Sequence, residues 1–410
     1  MKAIRNAFWA STALCAATAV SATELEVTHW WTSGGEAAAV AEIAKAFDAT
    51  GHTWVDGAIA GSGNTARPIM ISRITGGDPM AATQFNHGRQ AEELVEAGLM
   101  RDLTDIAKAQ GWTEVVNPPS LLDSCTVDGK IYCAPINIHS WQWLWLSDKA
   151  YTEAGLEVPT NWDEFVAAAP ALVEAGKVPL AMGQQGWQQK GAFDVLMIAL
   201  LPNDIYLKVN RDKDAEVAAG PEVAKIFEAI SIARDLSKDS NVQDWNQATN
   251  MVITGQAGGQ IMGDWAQGEF AVAGLTAGED YHCLPGLGSK EILTTGGDAF
   301  YFPVLKDEEE SAAQAELAAL MLEPAVQVAF NLKKGSLPVR GDVDLEAAND
   351  CMNKGLKILS GGDSLPDINQ LISSDTRTQL EDLLVEFFAD TSITPQEAQE
   401  RFADIIADAD

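Results

Sequence analysis

Beginning at Leu25, the chain runs three times through one unit: a short apolar or alternating stretch, a small polar loop, and a segment with apolar residues at helical spacing. Leu25 to Trp30 alternates like a strand. The loop after it leads into a helix from about Glu36 to Ala49 that carries Ala39, Val40, Ile43 and Phe47 on one face. A second strand, Thr53 to Ile59, meets Gly61-Ser62-Gly63-Asn64 before a helix from Thr65 to Ile74 that Gly76-Gly77 stops. A third, Ala81 to Phe85, meets Asn86-His87-Gly88 before a helix from Gln90 to Ala97. This alternation predicts an α/β lobe around a mostly parallel sheet. Ligands of such sheets bind beyond the carboxyl ends of the strands, so the loops bearing Trp30, Trp31, Glu36, Asn64, Asn86 and His87 are expected on one edge.

The residues before this pattern read as a leader. Lys2 and Arg5 precede an apolar run over 7–20, and Val20-Ser21-Ala22 is a small-x-small cleavage pattern. The run is too short to span a bilayer, and Leu14 directly before Cys15 argues against lipidation at that cysteine. Cleavage after Ala22 is expected to release a soluble, exported chain. Losing Lys2 and Arg5 moves the net charge from −32 to −34, a surface that repels phosphate backbones and anionic lipid. Cys125, Cys133, Cys283 and Cys351 remain, an even number that permits disulfides in an exported protein. Asp128-Gly129 is a two-residue hairpin signal that pairs 125 with 132 rather than 133, which makes a Cys125–Cys133 bridge awkward and leaves Cys283–Cys351 as the preferred pair. Neither the cysteine spacing nor any His-Glu-x-x-His motif offers a zinc site.

Further on, Ser147 to Gly155 reads as a capped helix stopped by glycine, and Thr160 as the cap of the next, which Gly176 ends before a strand over Val178 to Met182. Residues 187–200, 221–237 and 243–254 read as helices, and Ala257 to Met262 as a buried strand with Asp264-Trp265 at its tip. Thr394-Pro395-Gln396-Glu397 is a capping box that opens a last helix with Ala398, Phe402, Ile405 and Ile406 on one face. Some 388 mature residues are enough for two lobes.

The glycine stretch after the second strand resembles a dinucleotide fingerprint but lacks the acid that should end the next strand, so an ordinary turn accounts for it. Trp141, Trp143 and Trp145 alternate and read as a packed stripe on one strand face. Trp187, set among Gln184, Gln185, Gln188 and Gln189, looks different, because amides around an indole suit a ligand rich in hydroxyls. His29, His52 and His282 read as structural, whereas His87 and His139, beside Asn86 and Asn137, are as suited to hydrogen bonding a ligand as to packing. No nucleophile elbow, Cys–His arrangement or P-loop is present, and carboxylates are too abundant to single out a hydrolytic pair. The element tips thus carry indoles, amides and a few charges: Trp30, Trp31, Trp187 and Trp265; Gln84, Asn86, Asn137 and Gln267; Glu36, Asp264, Asp298 and Lys334. Indole faces take the C–H face of a sugar ring while the polar groups satisfy its hydroxyls.

Several stretches carry a family resemblance: Thr28-His29-Trp30-Trp31-Thr32-Ser33-Gly34-Gly35-Glu36, then 135–145 with 154–165 behind it, 262–270, 296–303 and 333–340. Across essentially the whole mature chain the sequence resembles the periplasmic sugar-binding proteins of bacterial ABC importers, the maltose-binding-like superfamily, and most of all its glucose-binding branch. The resemblance implies a two-lobe α/β fold of the type II periplasmic-binding class, with a hinge and an interlobe cleft. The first lobe would take 23–136 with 291–335, and the second 137–290 with 336–410. It implies hexose contacts from Trp30, Trp31, Glu36, Asp298 and Lys334, with Trp265 at the cleft. It also implies a monomer that docks on membrane permease subunits, without cofactor, metal or catalysis. Relatives often place a Lys two residues after the strand-end Gln, where this chain has Asn86 beside His87. Some offer a C-terminal His, where this chain has Asn369 and Gln370. The expected function is capture of a glucose-like aldohexose in the periplasm for an importer. The competing readings are an exported glycoside hydrolase with a Trp-rich cleft and a sugar-sensing partner of a membrane receptor.

Overall fold

A computed structural model describes residues 22–409, so the leader read over 1–22 lies, but for its final residue, outside the described residues. The strands are β1 (Glu24–His29), β2 (Thr53–Ala58), β3 (Ala82–Asn86), β4 (Thr126–Val127), β5 (Lys130–Ile131), β6 (Cys133–Pro135), β7 (Trp143–Ser147), β8 (Val178–Leu180), β9 (Ala257–Met262), β10 (Tyr281–Pro285), β11 (Leu293–Thr294), β12 (Asp298–Tyr301) and β13 (Ser364–Leu365). One sheet has the order β2-β1-β3-β12-β6 and another the order β10-β7-β9-β8. The first three strands are parallel, as the sequence predicts; β12 enters antiparallel between β3 and β6 and sets Asp298 opposite Asn86. In the second sheet only β8 and β9 run parallel. Two cores underlie the sheets: one around Phe47, Phe85, Phe300 and Phe330 that continues onto the second sheet through Trp143, Trp145 and Tyr281, and another around Phe165, Phe193, Phe227 and Phe402 that takes Leu144 and Leu146.

The helices that wall the space between the sheets, or brace its walls, are α1 (Gly34–Asp48), α2 (Ser62–Gly76), α3 (Gly186–Leu200), α4 (Trp245–Ile253), α5 (Ala266–Val272), α6 (Pro324–Lys334), α7 (Ser374–Ala389) and α8 (Pro395–Ala407). Their ends follow local chemistry. Ser33 caps α1 by accepting from the Glu36 N–H, and Gly61 and Gly77, both with positive φ, bracket α2. At the start of α8, Thr394 accepts from the Glu397 N–H, and Ala398, Phe402 and Ile406 are buried. The helix over Trp162–Glu174 is capped by Asn161 instead of Thr160, whose hydroxyl and N–H both donate to Glu164.

Two further expectations change. Cys283–Cys351 forms, and so does Cys125–Cys133. Cys125 does pair with Tyr132, but the next residue has already left the hairpin for β6, which brings the two Cα atoms to 5.1 Å. The tryptophan stripe also breaks. Trp143 N–H donates to the Trp141 carbonyl at 2.7 Å, a tight turn that starts β7 only at Trp143. Trp143 and Trp145 are buried and stack at 5.6 Å, while the Trp141 ring swings out of the strand.

Candidate ligand-binding cleft

A cavity of about 250 Å³ opens between the two sheets. The first system contributes Trp30 and Trp31 just past the end of β1, Glu36 in the first turn of α1, Asn86 at the end of β3, and Asp298 at the start of β12. These are the strand ends at which ligands of parallel sheets are held. The two adjacent tryptophans differ sharply. Trp31 is buried against Phe300 and Phe330, with the Lys334 ammonium 5.4 Å from its ring. Trp30 is half-buried, with the Arg67 guanidinium over its ring at 5.6 Å.

Asp298 is the hub of the polar floor. Its carboxylate accepts from Gln84 at 2.8 Å, from Asn137 at 3.1 Å and from His139 Nδ1 at 3.0 Å, and its N–H donates to Asn137 at 2.7 Å. Burial alone would raise its pKa; the His139 charge and these donors override it and hold the group well below the ordinary carboxylate range. Burial likewise opposes charge on His139, yet the Asp298 carboxylate wins and raises its pKa. Beside this pair, Lys334 donates to Glu36 at 2.6 Å, both groups buried. Asp298 and Glu36 therefore each have a cationic partner already.

The opposite wall is aromatic. Trp141 meets Trp265 edge-on at 4.7 Å and Trp187 edge-on at 5.5 Å, and Trp245 meets Trp265 at 6.4 Å. All four line the cavity. The Trp187 indole N–H is buried without a partner among the described residues, which leaves a donor for a ligand.

Of the residues singled out from sequence, Trp30, Trp31, Glu36, Asn86, His139, Trp187, Trp265, Asp298 and Lys334 line the cavity together, and Gln84, His87, Asn137 and Asp264 do not. Gln84 lies behind the floor, accepting from the Trp30 N–H at 3.0 Å while donating to Asp298. Asn137 is buried between Asp298 and Ser336. Asp264 accepts from Ser140 N–H at 2.9 Å, and burial pushes its carboxyl up to about 7. His87 turns away from the cavity, taking contacts from Ser124 and Gln370 at Nδ1, and burial drives it down to about 3. Alternation separates His87 from its neighbour Asn86, whereas Gln84 and Asn137, each two residues from a lining side chain, are withdrawn because their amides are spent on Asp298. His29 and His52 have the structural roles expected: His29 bonds Asp56 at 2.7 Å, and His52 accepts from the Thr23 N–H at 3.4 Å beside Glu316.

The cavity also takes residues that sequence reasoning missed: Trp141, Trp245, Gln90, Arg67 and Arg377. Gln90 sits four residues beyond Asn86, donating to its side chain at 3.1 Å and to Asn369 at 3.4 Å. No spacing signal marks Trp245 or Arg377, which arrive from separate helices of the second system. Cys283, Asp350 and Cys351 are the one grouping of metal-type ligands among the described residues, and both thiols are spent in their disulfide.

A profile of the bacterial extracellular solute-binding protein family matches residues 31–328. The chain belongs to that family. It is 38% identical over 335 residues to a Brucella melitensis protein named "Probable sugar-binding periplasmic protein", covering 81% of this chain and 78% of that one. Among solved structures it superposes on a chitin oligosaccharide binding protein with TM-score 0.76 at 19% identity, covering 95% of this chain and 99% of that one. It also superposes on a bacterial solute receptor described as exclusively preferring β-D-galactopyranose, with TM-score 0.76 at 20% identity, covering 93% and 98%. The two-lobe periplasmic-binding fold of the solute-binding protein follows, and the family binds solutes without transforming them.

Proposed function

We propose that this solute-binding protein captures a monosaccharide, most simply a glucose-like aldohexose, in the periplasm and delivers it to the permease subunits of an ABC importer. The observation that carries the reading is one cavity in which six indoles, Trp30, Trp31, Trp141, Trp187, Trp245 and Trp265, alternate with Glu36, Asn86, Asp298 and Lys334. That is the surface a sugar presents in reverse: apolar C–H faces set among hydroxyls. The names of the sugar-binding relatives support it. The small volume, below the roughly 300–1,000 Å³ of pockets for drug-sized ligands, favours one ring over many. The fold itself does not decide length, since the two structural neighbours above are described with an oligosaccharide and with a single pyranose.

In this reading the lobes are 23–136 with 291–335 and 137–290 with 336–410, the chain works as a monomer, and the leader 1–22, cut after Ala22, exports it. The lobes close on the sugar by hinge bending. Closure buries each hydroxyl, and any left unpaired costs about 1–3 kcal/mol, which explains the density of amides and charges in the floor. Trp30, Trp31, Glu36, Asn86, His139, Trp187, Trp265, Asp298 and Lys334 touch the ligand, while Gln84, His87, Asn137 and Asp264 hold those residues in place.

The test is calorimetric titration of the refolded, ligand-stripped protein with glucose, galactose, mannose and xylose, with product assayed in parallel. Saturable binding without turnover is expected, with a dissociation constant near micromolar, or about −8 kcal/mol. Lys334→Ala, which strips Glu36 of its partner, is expected to weaken binding at least tenfold. Silence across the panel, or turnover, would overturn the reading.

A further inference from the structure

Four side chains close one side of the cavity. Asn64 and Arg67 come from α2, and Arg377 and Glu381 from α7. Arg67 donates to the Asn64 side-chain carbonyl at 2.7 Å, the Asn64 amide donates across the gap to Glu381 at 2.6 Å, and Arg377 donates to the other Glu381 oxygen at 3.3 Å. The result is a continuous bridge, Arg67–Asn64–Glu381–Arg377, from one side of the cleft to the other. Asn64, Arg67 and Arg377 all line the cavity.

The local sequence makes room for the bridge. A Cβ on Gly63 would lie 2.3 Å from the Arg67 guanidinium, and one on Gly186 would lie 2.9 Å from Glu381 and 2.7 Å from Val385. Both close approaches need a residue without a side chain. Arg67 therefore folds back over Gly63 onto Trp30, and Glu381 lies flat over Gly186, next to the cavity-lining Gln185 and Trp187. Two guanidinium groups share a single carboxylate here. Burial and the neighbouring Arg377 lower the Arg67 pKa, and Glu381 counteracts them. Arg377 Nε is buried with no partner among the described residues. An unpaired buried donor on a cavity wall is costly until something accepts from it.

We infer that the Arg67–Asn64–Glu381–Arg377 bridge is the end wall of the ligand cavity and sets the length of sugar that this site admits. The inference rests on the sugar-binding reading above. A single ring ends against the wall and offers a hydroxyl to Arg377 Nε. A second ring directed between α2 and α7 must first break the Asn64–Glu381 hydrogen bond and part the two lobes. These residues determine specificity through shape and do not read the identity of the sugar, which lies with the floor around Asp298.

The experiment compares wild type with the Asn64→Ala/Glu381→Ala double variant and with Gly186→Ala, which pushes Glu381 out of its seat without removing a charge. Each is titrated calorimetrically with glucose, galactose and xylose and with the α- and β-linked disaccharides of the same sugars. Near-ultraviolet circular dichroism confirms that each variant is folded. Wild type is expected to bind one monosaccharide at least tenfold more tightly than any disaccharide, and the double variant to narrow that ratio at least tenfold. Gly186→Ala should narrow it in the same direction, so the test survives if the double variant does not fold. Equal binding of a disaccharide by wild type, or an unchanged ratio in folded variants, overturns the end wall while leaving the sugar reading intact. Failure of wild type to bind any sugar overturns both.

Discussion

The floor and the wall of the cleft are built on opposite plans. On the floor, Asp298, His139, Asn137, Gln84, Glu36 and Lys334 satisfy one another before any ligand arrives. On the wall, Trp141, Trp187, Trp245 and Trp265 hold their places by edge-to-face contacts and leave an indole N–H unspent. A pre-paired polar network fixes geometry at little cost on binding, because its dipoles need not reorganise. An aromatic wall supplies contact area that becomes valuable only when a ring slides against it. The floor should therefore fail structurally when broken, and the wall functionally.

The sharpest way to break the comparison is Asp298→Ala. Gln84, Asn137 and His139 each lose the acceptor they are buried against, and removing one partner of a buried pair costs roughly 3–5 kcal/mol. Urea unfolding should register that loss along with the loss of ligand binding. A drop below about 1 kcal/mol would mean that the floor is not a mutual network. Trp141→Ala should do the reverse. Its ring is half-buried and lies flat on Gly191, where a Cβ would come within 2.3 Å of it. Affinity should fall about tenfold, or about 1.4 kcal/mol, with a smaller change in unfolding free energy. Gly191→Ala should reproduce the affinity loss by tilting the ring. If either variant instead loses more stability than affinity, Trp141 belongs to the core after all.

The same contrast explains what could be read in advance. Strand, loop and helix alternate so regularly between Leu25 and Ala97 that the first sheet, its parallel order and the gathering of Trp30, Trp31, Glu36 and Asn86 all follow from periodicity. That part of the floor is legible because it follows the ends of β1 and β3, whereas Asp298 and Lys334 enter through β12 and the end of α6 and rest on the family resemblance. The wall is not. Trp141 is freed by one tight turn that breaks a perfect alternation, and Trp245 and Arg377 arrive from helices about 100 residues or more beyond Trp141, positioned only by the packing of the second lobe. Cys125–Cys133 was missed for a related reason: hairpin register identifies the partner across the ladder, whereas the bond depends on the chain leaving that ladder one residue later.

A pH dependence separates residues within the floor itself. His87 and His139 are both buried, but burial dominates at His87 and drives it down to about 3, whereas the Asp298 carboxylate raises His139. A histidine that folds neutral has its proton uptake confined to the unfolded chain. His87 therefore leaves stability intact above about 6.5 and erodes it as pH falls from there toward 3, by roughly 1.4 kcal/mol per unit. His139 works the other way, adding stability that is complete below 6.5 and fades as pH rises through its elevated pKa. Asp264, pushed up to about 7 by burial, complicates the raw profile, since its charged form is penalised and that penalty lifts between 7 and 3.8. The comparison of wild type with His87→Gln isolates the single group. Between pH 6.5 and 5 the variant should lose about 1.6 kcal/mol less than wild type, measured by urea unfolding at matched ionic strength. Parallel profiles for the two proteins would mean that His87 finds a proton-accepting partner in the folded state, and that the floor's supporting residues are as charged as those that face the ligand.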